Sequence, residues 1–366
     1  MFTLYGTEVS LYSGKARAYL RHAGLPFEEV TSSLRVYREV IVPNVGRPII
    51  PVVETPEGEL LQDTTVIIDA LEARRDGPSV YPTGPWQRLV ALLLEVYADE
   101  WLVMPAMHYR WHFWRDNLAF LLREFGATGM PRAPRLLQPL VGVAPALAFG
   151  RRYQAYFGIT RKTHGPIERS YRALLADLDR HLSEHRFILG GRPCIADFGL
   201  IGPLYAHLYR DPHPGAIMRR VAPHVARWVE RVERPERPAD GDLLPDDEVP
   251  RTLHPVLRRM FVEQLPVLVD TVRRLDAWAR AHPDRRRVPR VIGTHEFRIE
   301  GVTERRMVTP FSQWMFQRPL DHLASLGAAE RARIDPLLEE LGGLEGLAID
   351  VPTRVAYEDH RLVVDR

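Results

Sequence analysis

Ser10-Leu11-Tyr12-Ser13-Gly14-Lys15 lies where a predicted first strand, Phe2–Tyr5, gives way to a predicted first helix, roughly Lys15 to Ala23. A helix N-terminus leaves backbone N–H groups without partners and carries partial positive charge, so it can bind phosphate, carboxylate or thiolate. Serine is also a common N-cap, and taken alone Ser10 fits that simpler role equally well.

The composition limits the class of protein. The 366 residues, 45% hydrophobic and 26% charged, are enough for two or three domains with a sizeable core. A net charge of +2 argues against a dedicated nucleic-acid binder. The single cysteine, Cys194, excludes an internal disulfide and favours a reducing compartment, so we expect a cytoplasmic protein. No signal peptide is predicted, and the longest apolar stretch, residues 136–150, is too short and interrupted to span a bilayer.

Residues 1 to about 76 alternate between strand and helix. A strand is predicted at Phe27–Thr31, a hairpin at residues 49–61 with a proline inside its first strand, and a helix at Thr64–Arg74. A short helix is possible within residues 34–46. The resulting order is βαβ followed by ββα.

The rest of the chain reads as mostly helical. Residues 77–85 form a linker by composition, and the clearest helices that follow are Trp86–Trp101, Ile167–Glu184 and Ile195–Tyr209. Residues 130–147 are predicted as a loop or broken helix, and residues 235–250 as a second linker. Pro255–Ala281 is a predicted helix with a kink at Pro266. Further on, residues 320–341 are predicted helical and residues 297–299, 307–308 and 348–364 have strand character.

Four motifs, taken in order, resemble those of the glutathione transferase superfamily. Ser10-Leu11-Tyr12-Ser13 stands where members carry the residue that faces the glutathione sulfur, and Ile50-Pro51 where they have Val-Pro with a cis proline. Asp63-Thr64 stands where members have Glu-Ser at the start of the next helix. Leu189 through Asp197 is similar to the G…S-x-A-D motif with which the family begins a core helix. Their order and spacing together are fairly specific, and the resemblance covers about residues 1–232.

The resemblance implies an α/β thioredoxin-like N-terminal domain and an all-α glutathione transferase C-terminal domain, with an α-rich C-terminal extension. We expect these at residues 1–78, 85–234 and 235–366, with the extension packed on the helical domain. A cis proline inside a strand turns a backbone edge outward, so Ile50 would pair with an extended peptide such as glutathione.

The resemblance also implies the role of each site residue. Ser10 would donate a hydrogen bond to the thiolate and lower the pKa of the thiol, with Tyr12 and Ser13 as nearby alternatives. Asp63 would take the ammonium of the γ-glutamyl group and Thr64 its carboxylate. The predicted glutathione-binding set is Ser10, Tyr12, Ser13, Arg47, Ile50, Pro51, Asp63 and Thr64, in which Arg47 is only a candidate for the glycyl end.

Several residues depart from the family pattern or allow a second interpretation. Leu11 replaces a frequent proline, and Cys194 occupies a cap position that Ser or Thr usually fills. The aromatic segment after Trp101 is expected to supply both core and part of the pocket for a hydrophobic substrate. The predicted pocket residues are Met107, Tyr109, Trp111 and Trp114. His108 and His112 have metal-ligand spacing, but no third ligand is evident, so we expect no metal.

Two functional hypotheses follow. The first is a glutathione-dependent transferase, a cytoplasmic homodimer in detoxification, that activates the glutathione thiolate for attack on a hydrophobic electrophile. Transferase, lyase, isomerase and dehalogenase reactions share that step. The second is a non-catalytic binding or scaffold protein on the same fold. A glutaredoxin-like oxidoreductase is nearly excluded, because neither Ser10 nor Ser13 is a cysteine.

Overall fold

The protein is described here by a computed structural model that covers residues 1–134, 136–143, 154–235 and 241–365. Part of the predicted loop at 130–147 and part of the predicted linker at 235–250 lie outside the described residues.

A four-stranded mixed sheet forms the centre of the N-terminal domain, with the order β2-β1-β3-β4. The strands are β1 (Phe2–Gly6), β2 (Phe27–Thr31), β3 (Val52–Glu54) and β4 (Leu60–Gln62). β1 pairs with β2 in parallel and with β3 antiparallel, and β3 and β4 form the predicted hairpin. This topology confirms the thioredoxin-like fold expected from the order βαβ, then ββα.

Two helices, α1 (Leu11–His22) and α4 (Thr64–Glu72), contribute buried apolar faces to the core around this sheet. α1 starts four residues earlier than predicted, because Ser10 caps it directly. Residues 34–45 form α2 (Leu34–Val36), a π-helical turn (Tyr37–Ile41) and α3 (Val42–Val45), where the sequence predicted only a possible short helix.

The helical domain is built around two almost wholly buried helices, α5 (Pro85–Glu100) and α9 (Ile195–Ala206), which pack against each other. A helix that is apolar on every side belongs in the centre of a core. The other helices here are α6 (Val103–His112), α7 (Trp114–Gly129), α8 (His164–Glu184), α10 (Pro212–Val221) and α11 (Pro223–Glu233). α9 also packs on α1 and so joins the helical domain to the sheet domain.

The start of α9 shows why a cysteine is tolerated at the cap. Asp197, in the first turn, accepts hydrogen bonds from the backbone N–H of Cys194 at 3.0 Å and of Ile188 at 3.1 Å. It also accepts one from the indole N–H of Trp228 at 2.9 Å. The aspartate therefore completes a capping box with Cys194, in which its carboxylate takes the backbone N–H of the cap residue.

The extension is a mixture of helices and two separate hairpins. Its helices are α12 (His254–Glu263), α13 (Leu265–Ala281), α14 (Pro310–Ser325), α15 (Ala328–Leu341) and α16 (Leu344–Leu347), and its strands are β5 (Thr294–Ile299), β6 (Val302–Met307), β7 (Val355–Glu358) and β8 (Arg361–Val364). The predicted kink is a break at Gln264, just before Pro266.

The extension packs on the helical domain and also reaches the sheet domain. α14 lies along α5. Arg318 of α14 donates to Asp69 of α4 at 2.9 Å, and Tyr357 of β7 donates to Gln62 at the end of β4. Most of the buried apolar residues of α12–α14 belong to the same core cluster as those of α5 and α9. The sequence did not predict the contacts with the sheet domain.

Candidate functional site

Three predicted site segments meet at one edge of the sheet. Tyr5 pairs with Val52, and Val52 pairs with Gln62, so the end of β1, the start of β3 and the end of β4 lie side by side. Pro51 directly precedes Val52, and Asp63 directly follows Gln62. β1 leads, through a short loop, into Ser10. The peptide bond between Ile50 and Pro51 is cis, as the family resemblance implied.

Ser10 is the N-cap of α1 and is partly exposed. Its side-chain oxygen accepts a hydrogen bond from the backbone N–H of Ser13 at 3.3 Å. That bond uses a lone pair of the hydroxyl and leaves its O–H free to donate. Ser10 can therefore cap the helix and also hydrogen-bond a thiolate placed beyond the helix N-terminus.

The hydroxyls of Tyr12 and Ser13, the two alternatives to Ser10, have surroundings that differ from those of Ser10. The Tyr12 hydroxyl donates to the backbone carbonyl of Asp99 at 3.0 Å, and burial raises the pKa of Tyr12 well above its ordinary value. Ser13 is fully buried, and its Oγ lies so close to Gly6 that a Cβ at that glycine would be 3.1 Å away. Both side chains are therefore part of the packing beneath the edge.

Ile50 and Asp63 lie at this edge in different hydrogen-bonding states. Across the described residues, the backbone of Ile50 makes no hydrogen bond, so it can pair with an added peptide. Asp63 caps α4 by accepting from the backbone N–H of Thr65 at 2.9 Å. Its φ of 84° lies in the left-handed region, which aspartate tolerates better than most residues.

The electrostatics around Asp63 favour a cationic partner. Burial raises the pKa of Asp63, and the positive charge of Lys15 only partly opposes that rise. A ligand ammonium beside this carboxyl would stabilise its charged form. The neighbouring Thr64 side chain is buried at the first position of α4.

Arg47 lies at the same edge and contacts the extension. Its guanidinium donates to the hydroxyl of Tyr357 at 2.9 Å, and that hydroxyl in turn donates to Gln62. Arg361, on the next strand of the hairpin, donates to the backbone carbonyl of Gly46 at 2.8 Å. The Nε of Arg47 is buried and has no hydrogen-bond partner among the described residues.

A buried ion network lies between α1 and α5, and the sequence analysis missed it. Lys15 is fully buried and contacts Glu95 at 2.7 Å and Asp99 at 2.6 Å. Arg318, from the extension, donates to Glu95 at 3.1 Å. The sequence did contain a sign of this network, because Glu95 and Asp99 lie four residues apart in an otherwise apolar helix. Buried carboxylates need cationic partners, so this pair pointed to a buried cation.

A second polar cluster joins the end of α5 to the extension. Glu100 accepts a hydrogen bond from the hydroxyl of Ser312, and burial raises the pKa of Glu100 to about 7. Burial likewise raises the pKa of Asp99 to about 7. Arg306, on β6, stacks over the ring of Trp101 at 5.2 Å and is only 4% exposed. Its Nε and one Nη are unpartnered within the described parts of the chain.

The four predicted pocket residues do not form one wall. Tyr109 is fully buried, and its ring contacts those of Phe113 and Tyr171. Trp114 is 49% exposed, whereas Met107 and Trp111 are partly buried. Tyr109 therefore packs in the core, and its place in the wall of a substrate pocket stays a prediction. Its position on α6 turns it inward, toward α8.

Comparisons with known proteins agree with this architecture. The family description "Glutathione S-transferase, N-terminal domain" matches residues 4–79, and "Glutathione S-transferase, C-terminal domain" matches residues 143–231. A glutathione S-transferase of Pseudomonas putida is 32% identical over 107 residues, which are 29% of this chain and 47% of that relative. The matched segment thus spans about half the length of the curated relative.

Solved structures with a similar fold include a glutathione S-transferase from Rhodospirillum rubrum, 19% identical with a TM-score of 0.42, covering 69% of this chain and 97% of the other. The beta-etherase LigF of Sphingobium sp. strain SYK-6 is 21% identical with a TM-score of 0.45, over 65% and 96% of the two chains. A rice glutathione transferase in complex with glutathione is 20% identical with a TM-score of 0.40, and the match covers 64% of this chain and 88% of the rice chain.

In the described part of this chain, no helix has the length and apolar character needed to cross a membrane.

The two domain matches occur in their expected order along the chain. They agree with the strand order of the sheet, with the succession of strands and helices and with the positions of the motifs. The parts of the chain that these two domains match, residues 4–79 and 143–231, therefore belong to the glutathione S-transferase family.

Proposed function

We propose that this protein binds glutathione at the edge formed by Ser10, Ile50-Pro51 and Asp63-Thr64, and activates its thiol for attack on a hydrophobic electrophile. The observation that carries the proposal is the unpaired backbone of Ile50 beside the start of α4. An extended tripeptide can add there as a short strand. One end of the tripeptide then reaches Asp63, and its thiol lies toward Ser10.

Each residue has a separate role in this proposal. Asp63 pairs with the γ-glutamyl ammonium, and the N-terminus of α4 at Thr64 takes the carboxylate. Arg47 and its unpartnered Nε suit the carboxylate of the glycyl end. Ser10, at the N-terminus of α1, donates a hydrogen bond to the sulfur and lowers the pKa of the thiol.

The chemistry that follows is nucleophilic attack by the glutathione thiolate, which forms when the thiol loses its proton to solvent. A carbon–sulfur bond forms on the electrophile while the bond from that carbon to a leaving group breaks, and the leaving group departs with the electron pair. In an addition, a multiple or strained bond at that carbon opens instead and its electron pair takes a proton from water. The serine is not the nucleophile. It stabilises the thiolate, while the two ends of the tripeptide fix where the sulfur lies. Transfer, elimination, isomerisation and dehalogenation differ only in what the electrophile does next.

Isothermal titration with reduced glutathione tests the proposed binding mode. Asp63→Asn keeps the capping oxygen and the tolerance for positive φ but removes the charge. We expect this variant to bind glutathione roughly 10- to 100-fold more weakly, as for the loss of about 1.5–3 kcal/mol from a charge-assisted bond. Asp284→Asn, on an exposed loop, is the matched control and should bind normally.

A glutathione analogue without the γ-glutamyl amino group completes the test. The wild-type chain should bind the analogue about as weakly as Asp63→Asn binds glutathione, and the variant should barely distinguish the two ligands. If Asp63→Asn still prefers glutathione as strongly as the wild type does, the ammonium is not at Asp63. No measurable glutathione binding by the wild type would refute the proposed site.

The proposal includes a cytoplasmic homodimer that acts in detoxification, which the family resemblance implies. Sedimentation equilibrium tests the dimer. Glutathione binding without turnover, across a panel of halogenated, epoxide and aryl-ether electrophiles, would instead favour the non-catalytic binding protein.

A further inference from the structure

Three histidines converge where the end of α6 meets the start of α8. His108 and His112 are four residues apart on α6, and His164 is the first residue of α8. The sequence showed the first two but gave no sign of a third. The fold brings His164 to them across more than fifty residues of chain.

The side chains are close enough to share one ion. Their nitrogen ligand atoms all lie within 4.8 Å of one another. The ring centroids of His108 and His112 are 4.8 Å apart, and His164 lies 4.9 Å from His108 and 4.2 Å from His112. A tetrahedral zinc ion with Zn–N bonds of about 2.0–2.1 Å requires nitrogens roughly 3.3 Å apart. His112 is exposed and His164 partly exposed, so small rotations of these two rings close the gap.

The surroundings of His108 are a second, independent indication of a metal ligand. It is 0% exposed, and its Nδ1 is buried with no hydrogen-bond partner among the described residues. Its Nε2 lies 2.9 Å from a carboxylate oxygen of Glu168. When Nε2–H donates to that carboxylate, Nδ1 holds a lone pair. Metal-binding histidines commonly have this arrangement, in which an outer carboxylate fixes the tautomer and orients the ring.

We propose that His108, His112 and His164 bind one divalent transition-metal ion, with Zn²⁺ the best match, and that Glu168 orients His108. Three imidazole ligands suit zinc and leave a fourth position for water. His112 also lines a surface pocket, which gives the ion and water access. The proposal is independent of glutathione binding at Ser10.

A similar histidine pair elsewhere in the chain provides a control. His181 lies in the last turn of α8 and His185, four residues on, is the residue that caps the end of that helix, and their rings stack at 4.8 Å. Both nitrogens of His181 already have partners, Thr252 at 2.8 Å and the carbonyl of Ile188 at 3.0 Å. This pair therefore has the spacing of a metal site but no free ligand atom on its buried member.

The test is titration of the full-length chain, without an affinity tag and treated with EDTA, with ZnCl₂ and with CoCl₂. We expect one ion per chain, and visible d–d absorption of tetrahedral intensity for Co²⁺. Glu168→Ala should weaken binding by about 10- to 100-fold, as expected for loss of an outer-shell partner. His112→Ala and His164→Ala should weaken binding more than that, and His185→Ala should leave it unchanged.

His112 and His164 are the chosen ligand variants because neither is fully buried, so their loss leaves the core intact. Circular dichroism confirms that each variant is folded. No stoichiometric binding by the wild type overturns the proposal. So does binding that His112→Ala and His164→Ala retain at wild-type affinity, or that His185→Ala weakens to the same extent.

Discussion

Glu100→Gln should make the protein more stable at high pH. Glu100 ends α5 and holds the extension through Ser312. Its pKa is raised from 4.5 to about 7, first by burial, then by the nearby charges of Asp99 and Asp63, against the opposing effects of Ser312 and Arg306. Glutamine keeps an oxygen that can accept the bond from Ser312 but cannot ionise.

The sign and size follow from the two pKa values. A carboxyl with a higher pKa in the folded state holds its proton more tightly there, so its contribution to stability falls as pH rises from 4.5 and levels off above 7. A shift from 4.5 to about 7, at 1.36 kcal/mol per unit, means that Glu100→Gln raises the free energy of unfolding by at most about 3 kcal/mol at pH 9. At pH 5 the same calculation gives a gain in unfolding free energy of less than about 1 kcal/mol.

The assay is urea unfolding of wild type and Glu100→Gln at several pH values from 5 to 9. The gain in unfolding free energy of the variant should grow with pH and reach a plateau above about pH 7. Glu184→Gln, exposed on α8, is the control and should show no such growth. A gain for Glu100→Gln that is the same at pH 5 and pH 9 would show that Glu100 does not titrate as the structure indicates.

Two further substitutions test the buried charges. Lys15→Met leaves Glu95 and Asp99 short of a cation and should lower the free energy of unfolding by about 3–5 kcal/mol, whereas Lys162→Met, at an exposed lysine, should change it little. Asp197→Ala removes the acceptor of three buried N–H donors and should cost at least about 3 kcal/mol, measured by the same unfolding assay.

Local patterns were enough to predict most of the N-terminal fold. The strand at Phe27–Thr31 and the hairpin were placed closely, because alternating side chains, turn residues and Pro51 all act over short distances. The start of α1 was misplaced at Lys15, although the N-cap role that the sequence offered for Ser10 already favoured a start at Leu11. The break before Pro266 followed directly from the chemistry of proline inside a helix.

Contacts between distant segments could not be predicted from one sequence. Tyr357 reaches Gln62 and Arg47 across about 300 residues, and no local pattern marks that pairing. His164 joins His108 in the same way. Tyr109 was assigned to the pocket because the family resemblance places part of the pocket on this aromatic helix, whereas its orientation on α6, which the sequence does not give, decides that it is buried.

The thiol pKa of bound glutathione tests the central claim most directly. Ultraviolet absorbance of the thiolate is measured against pH for wild type and for Ser10→Ala, with Ser13→Ala as the matched control, because Ser13 is in the same turn but is buried against Gly6. Ser10→Gly, which keeps most of the capping stability, separates loss of the hydroxyl from fraying of α1.

One hydrogen bond to a charged sulfur contributes about 1.5–3 kcal/mol, so removal of the Ser10 hydroxyl should raise the pKa of the bound thiol by roughly one to two units. Glutathione affinity should change little, and Ser13→Ala should titrate as the wild type does. Coincident titrations of wild type and Ser10→Ala would show that Ser10 is only a helix cap and would contradict the account.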